Sequence, residues 1–294
     1  MRRDGWALGR IGAVAALLVL AGTGCGLLRH SAVGMVAPVT DNLALALQQE
    51  TDLQLVHDGV PAFILLLDGL ALSAPDNAQL QLAAADAYTA YGTAFVDPAE
   101  KVRTGALFGK ARAYGLRVLS RNRRFAAALH GPLPEYEAAV ASFRKRDVPA
   151  LYSTATAWAG WIISQSDSME AIAQLSRALA LMQRVLDLDR GYRNGGADQF
   201  FGIYYCIQPR GAGQNLPKAR EHFERAMECA GPDFLLTRVT FAEFYARYTL
   251  DRDLFERTLR EVVAHPDTRP EFGLMNAVAR KRAQDLLARA DDLF

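Results

Sequence analysis

A chain of 294 residues, 51% of them apolar, is long enough to bury a sizeable core, and its 33 basic and 32 acidic residues leave a net charge of +1. Mixed signs near neutrality exclude the basic stripe that nucleic-acid binding requires, so no nucleic-acid partner is expected. Abundant Ala and Leu, only 12 prolines and the lack of an alternating β-branched pattern exclude a sheet-based fold and predict an all-α one.

The first 25 residues fall into three zones. Arg2, Arg3 and Arg10 make a positive start, and Ile11 to Ala21 is an apolar run of eleven residues, too short to span a bilayer. Gly22-Thr23-Gly24-Cys25 follows. This order reads as a secretory signal peptide over 1–24. Small residues ending on a cysteine resemble the lipobox of bacterial lipoproteins, with Gly22 where Leu is usual. By that resemblance Cys25 carries the lipid and 25–38 is a tether; the alternative is ordinary secretion with Cys25 a plain thiol. Gly26, where Asp would signal inner-membrane retention, favours the outer membrane. With three arginines and Asp4 removed, the mature chain carries one net negative charge.

From residue 39 to 294 the chain reads as one helical body. Helices are predicted at 40–57, 61–73, 77–93, 98–120, 134–144, 148–165, 168–188, 197–207, 215–229, 233–247, 251–264 and 272–291. Turn signals separate them at Ala74-Pro75-Asp76-Asn77, Gly131 to Pro134, Gly191 to Gly196, Pro209 to Gln214 and Gly231-Pro232-Asp233. Cys206 and Cys229 sit near the ends of consecutive helices. In an antiparallel hairpin they stand about 20 Å apart at ~1.5 Å per residue, beyond the ~7 Å a disulfide needs. Both are expected as buried apolar groups.

Three helix pairs carry the small-plus-aromatic spacing of a tetratricopeptide (TPR) repeat. Phe201-Gly202-x-x-Tyr205 with Ala219-x-x-x-Phe223-x-x-Ala226 fits best, although its intervening turn is about five residues longer than the pattern allows. Gly160 with Ala178, Met182 and Val185, and Ala62, Leu66 and Gly69, are weaker fits. The small residues would let paired helices approach, with the aromatic filling the gap beside them. The predicted fold is therefore a degenerate TPR-like solenoid of helical hairpins; the alternative is an irregular bundle.

Between Asp147 and Asp167 no charged residue occurs. Pro149, Ser153, Thr154, Thr156, Ser164 and Gln165 make a membrane span a poor reading, so 148–165 is expected at the centre of the bundle. Trp158 and Trp161 share a face of it, and either fill the core or line an apolar cavity that receives a ligand. Tyr204 and Tyr205 pose the same choice. The basic tract Arg121-Asn122-Arg123-Arg124 follows a helix and would interact with that helix's C-terminus or with lipid headgroups.

Catalytic and metal-binding patterns are absent. His30, His57, His130, His222 and His265 form no metal-binding spacing. There is no nucleophile elbow or phosphate loop, and Gly195-Gly196 follows no predicted strand. No catalytic residue, metal or cofactor is assigned, and an enzyme is the least favoured reading.

Several phrases recur in order along the chain: Asp52-x-x-x-Val56-x-x-Gly59-x-Pro61, Ala74-Pro75-Asp76-Asn77, Phe201-Gly202-Ile203-Tyr204-Tyr205, Lys218 through Ala226, and Asp292-Leu293-Phe294. Together with the lipobox and the helix pairs, they make the chain resemble the TatT component family of TRAP transporters, from Cys25 to the end. The resemblance implies a periplasm-facing lipoprotein that associates with the periplasmic substrate-binding protein of a TRAP transporter. It also implies homo-oligomers with a channel through each protomer, and small hydrophobic organic acids or lipid-like molecules as ligands. Only Cys25 carries over as a functional residue. The alternative function is a TPR scaffold lipoprotein for outer-membrane or pilus assembly.

Overall fold

The computed structural model describes residues 45–294 except 212 and 267. Cys25, the signal segment 1–24 and the tether 25–38 lie outside the described residues. Among those described, every regular element is a helix.

After a short helical turn at 45–49, helix α1 (Leu53–Ser73) begins where the Asp52 carboxylate accepts the backbone N–H groups of Gln54 and Leu55 at 2.9 and 3.1 Å. This corrects the expectation of helices at 40–57 and 61–73: the break falls at 50–52, and α1 runs straight through Pro61. Pro61 has no N–H for the His57 carbonyl. Val56 before it and Ile64, Leu67 and Ala71 after it are all buried, so packing keeps the two halves in line.

Helices α2 (Ala78–Phe95) and α3 (Lys101–Leu119) follow as antiparallel neighbours. Next comes α4 (Arg123–Ala128), a helix not expected there. The Asn122 side chain accepts from the N–H groups of Arg124 and Phe125, so the basic tract starts a helix rather than trailing one. Then come α5 (Leu133–Val140), α6 (Val148–Ser164), α7 (Met169–Ile172) and α8 (Leu175–Leu188). The predicted helix 168–188 is thus two, broken at 173–174. Beyond lie α9 (Tyr192–Ile207), α10 (Leu216–Ala230), α11 (Leu236–Thr240, continuing as a π-helical turn over Phe241–Ala246), α12 (Arg252–Ala264), α13 (Gly273–Ala288) and α14 (Ala290–Leu293).

The strongest packing joins α1 to α2, α2 to α3, α3 to α6, α6 to α8, α9 to α10, and α12 to α13. Helix α6 also touches α2 and α9, which makes it the central element its uncharged sequence predicts. Close approach depends on glycine at two places. A Cβ on Gly202 would stand 2.8 Å from the Phe223 ring, and one on Gly160 would stand 2.7 Å from Phe108. The first is the helix pair that fits the repeat spacing best. The Ala62, Leu66, Gly69 match packs nothing: all three positions are exposed, and no atom lies within 4 Å of a Cβ on Gly69.

Both cysteines are free. Cys206 is fully buried, and burial pushes its thiol up to about 12. Cys229 is exposed, contrary to expectation, because the buried stripe of α10 runs through Ala219, Phe223, Ala226 and Ala230 and leaves Cys229 beside it. The last helices close over their own core of Leu235, Val239, Phe255, Leu259, Ala279 and Ala283. There the buried Asn276 amide accepts Leu235 N–H and donates to the Asp233 carbonyl.

Helix α1 is the one described helix long and apolar enough to cross a membrane by length and composition. One face of it packs into the bundle, while Leu55, Leu65, Leu66 and Leu72 on other faces are exposed.

Candidate functional site

The aromatic residues singled out from sequence stand in two separate groups. In the first, Trp158 is 3% exposed, and its Nε1 donates to Gln174 Oε1 at 3.1 Å. Gln174 sits in the break between α7 and α8 and accepts at the same oxygen from Arg112 Nη1, also at 3.1 Å. The Arg112 guanidinium lies 3.9 Å from the Trp161 ring centroid and 5.5 Å from that of Trp158. Burial lowers the pKa of this arginine. Trp158 is therefore built into the core and fully hydrogen-bonded, whereas Trp161, half-buried, is covered on one face by a cation.

The second group is held by α9 and α10. The Tyr205 ring stacks on His222 at 5.6 Å, Phe201 stacks on the same imidazole at 5.4 Å, and Tyr204 meets both Phe201 and Tyr205 edge-on. His222 Nδ1 is 2.7 Å from Oδ1 of Asp198, a fully buried carboxylate whose Oδ2 faces Arg190 Nε at 3.5 Å. Burial, with Tyr205 beside it, raises the Tyr204 pKa. Among the described residues no ring contact joins the tryptophans to the tyrosines.

A third group was not singled out from sequence. Where α9 begins, Arg193, Asn194 and Gly195 all take left-handed backbone conformations, with φ of 51°, 56° and 75°. Gly191 to Gly196 reads as an ordinary turn, and nothing in it foretells two successive left-handed non-glycine residues. The turn sends Arg193 Nη2 to within 2.7 Å of Asp86 Oδ2 on α2. The only sequence signal for this contact is an arginine inside a glycine-rich turn.

Two surface cavities measure about 480 Å³ each, and one of them reaches Phe201 of the second group. One is lined by Leu82, Arg121, Asn122, Arg144, Arg146 and Ala150, the other by Leu133, Leu179, Gln183, Arg184 and Phe201 among others. Neither is lined by Trp158, Trp161, Tyr204 or Tyr205. No group of three or more His, Cys, Asp or Glu among the described residues could hold a metal ion.

Antiparallel helices packed through glycine, with polar and aromatic side chains gathered between them, make up an all-helical body. The sequence profile of the TRAP transporter T-component family matches residues 49–294, and the chain belongs to that family. The family is an accessory component of TRAP transport systems, not an enzyme family. A protein of Treponema pallidum (strain Nichols), described as uncharacterized, is 24% identical over 266 residues, covering 84% of this chain and 81% of its own.

Proposed function

We propose that this protein is the accessory lipoprotein of a TRAP-type transport system. A lipid on Cys25 anchors it facing the periplasm, on the outer membrane, and it docks the periplasmic substrate-binding protein. The observation that carries this reading is the family match, which runs from residue 49 to the final residue, 294. The hairpins are degenerate TPR units in this reading, supported by Gly202 packed on Phe223. A small hydrophobic ligand would meet Trp161, beside the buried Trp158, or Tyr204 and Tyr205 in the separate group on α9; all three keep part of their surface exposed. Self-association belongs to the same proposal, and the exposed leucines Leu55, Leu65, Leu66 and Leu72 of α1 support it.

The test is a pull-down of the tagged full-length chain from detergent-solubilised membranes mixed with periplasmic extract. Recovery of a TRAP-type binding protein near one-to-one supports docking. Recovery of outer-membrane assembly factors, or of no stable partner, removes the docking reading and leaves the family match as a statement about fold. Cys25→Ser is expected to release the protein from membranes, and retention would overturn the anchor.

A further inference from the structure

Between α2, the end of α3 and the start of α6 lies the first of the two cavities, about 480 Å³ in volume. Its floor is apolar. Leu119, Phe143 and Ala150 are buried there, with Leu82 and Val118 half-buried beside them. Its rim is basic: Arg121, Arg144 and Arg146 line it, and all three are exposed. The rim is held in shape by the chain around it. The Phe143 carbonyl accepts from Arg184 Nε and Nη2 at 3.2 and 2.6 Å, and its ring meets Phe125 edge-on at 5.3 Å. The Arg144 backbone N–H donates to Asp147 Oδ2 at 2.8 Å. Asn122 Nδ2 donates to Ser142 Oγ at 2.9 Å, which ties the turn after α3 to the segment before α6.

The arginines at this rim differ from others of the bundle. Arg112 and Arg117 donate to Gln174 and Gln81, and Arg177 and Arg184 donate to the carbonyls of Gly131 and Phe143. The Arg144 guanidinium has no hydrogen bond or ion pair among the described residues. Arg121 reaches only the Pro75 carbonyl, at 3.4 Å. Arg146 Nε stands 3.9 Å from Asp147 Oδ1, at the limit of an ion pair. Three guanidiniums against the one carboxylate of Asp147 leave two uncompensated positive charges around this opening. Like charges gathered in one place repel, and a chain of net charge +1 has no general excess to explain them. An anion between them turns the repulsion into attraction. The second cavity has the opposite balance: Glu137 and Asp187 face Arg184, which is already bonded to Phe143.

A basic rim over an apolar floor sets two properties of the ligand. Two charges are needed to balance the rim, and an apolar body is needed to cover the floor. A phosphate monoester carries a charge of about −1.5 to −2 near neutral pH and presents its oxygens from one centre, which guanidinium forks bind in pairs. A carboxylate or a sulfate monoester brings a single charge. A dicarboxylate has the charge but divides it between two groups that must both stay at the rim, which leaves the floor uncovered. We propose that Arg121, Arg144 and Arg146 form a binding site for an amphipathic phosphate monoester. Its phosphate sits at the mouth among the three guanidiniums, and its apolar body lies against Leu82, Val118 and Phe143. Two sources carry this chemistry, a soluble alkyl or aryl phosphate and a lipid with a phosphomonoester headgroup. The site goes beyond the docking reading and does not depend on it, since neither the aromatic groups nor a partner protein is involved.

The test is calorimetric titration of the purified full-length chain with hexyl phosphate, hexyl sulfate, adipate, inorganic phosphate and dihexanoyl phosphatidic acid. Hexyl phosphate is expected to bind at least about tenfold more tightly than hexyl sulfate, adipate or inorganic phosphate, each of which lacks either the second charge at one centre or the apolar body. Arg144→Gln and Arg146→Gln should each weaken hexyl phosphate binding by about tenfold. Leu82→Ser should weaken hexyl phosphate and leave inorganic phosphate unchanged. Replacing Arg123 and Arg124 together by Gln, on the same basic tract but outside the cavity lining, should change binding by less than about threefold, because solvent and salt screen such distant charges. Circular dichroism establishes that each variant is folded. Phosphatidic acid binding more tightly than hexyl phosphate identifies a lipid source, and the reverse order a soluble one; the site stands in both cases. Hexyl sulfate or adipate binding as tightly as hexyl phosphate would overturn the phosphomonoester assignment. No binding by hexyl phosphate or phosphatidic acid, or an equal loss in the Arg123 and Arg124 variant, would overturn the site itself. A failed pull-down would leave this result untouched.

Discussion

Asp68 and Asp86 lie on neighbouring helices, each beside a basic residue, and the protein treats them in opposite ways. Asp68 accepts from the Tyr88 and Tyr114 hydroxyls at 2.6 Å each and from Lys110 Nζ at 3.3 Å. Burial alone would raise its pKa, but the bonds from Tyr114, Tyr88 and Lys110 outweigh burial and hold it below the usual carboxylate value. At Asp86 the balance reverses: burial outweighs Arg193 and Ser153, and the pKa rises. The balance between partners and burial makes the difference. Three donors satisfy Asp68 and tie α1, α2 and α3 together, while Asp86 has Arg193 and the Ser153 hydroxyl, which burial outweighs. A carboxylate whose bonds outweigh its burial is a structural pin, and one whose burial outweighs its bonds is held in place at a cost to its ionised form.

The contrast breaks most easily at stability. Asp68→Ala leaves two tyrosine hydroxyls without their acceptor and Lys110 with the Tyr88 hydroxyl alone, in a site only 19% exposed, and is expected to cost about 2–4 kcal/mol in chemical denaturation. Asp86→Ala removes one half-exposed ion pair and should cost about 1 kcal/mol or less. Equal costs would erase the distinction. Next in size, Gly196→Ala drives a methyl into Tyr152 and is expected to cost about 1–3 kcal/mol, read from the same denaturation curves. A smaller effect sharpens the argument about strain. Arg193→Gly and Arg193→Ala both lose the ion pair, but glycine tolerates φ of 51° and alanine does not, so the glycine variant should be the more stable by about 1 kcal/mol. No difference between them would mean that the turn stores no strain.

How much of this was legible in the sequence follows from the physics of each feature. Helices, their rough order and the central place of α6 depend on local composition, and all were readable. So was the Gly202–Phe223 approach, because a small residue and an aromatic at fixed spacing encode it directly. Pro61 misled because its local penalty is overridden by four buried side chains on α1, which is information held by α2. The break at Gln174 was hidden because helix-forming residues flank it, and its function is to aim one amide at Trp158 and Arg112 from another part of the chain. Trp158 and Trp161 drew attention because aromatic residues are conspicuous. Asp86 and Arg193 are 107 residues apart, and no pattern in either neighbourhood mentions the other.

The finest test of the contrast is its dependence on pH, because the two carboxylates should pull in opposite directions. For Asp68 the folded pKa lies below the ordinary 3.8. Just below that value the unfolded chain binds more protons, so this group's stabilisation is complete above about 3.8 and is lost as pH falls through the folded pKa. For Asp86 the folded pKa lies above 3.8, and there the native state binds more protons. Its contribution is therefore most favourable in acid and declines as pH rises through the folded value. Denaturation midpoints of wild type, Asp68→Asn and Asp86→Asn, followed from acid to neutral pH, should separate the two. The deficit of Asp68→Asn against wild type should widen with rising pH and then level off once pH exceeds about 3.8. Asp86→Asn should instead gain on wild type as pH rises, over a range that begins near 3.8 and extends upward. Parallel curves for the two variants would mean that bonds and burial balance alike at both carboxylates, and the contrast between Asp68 and Asp86 would fail.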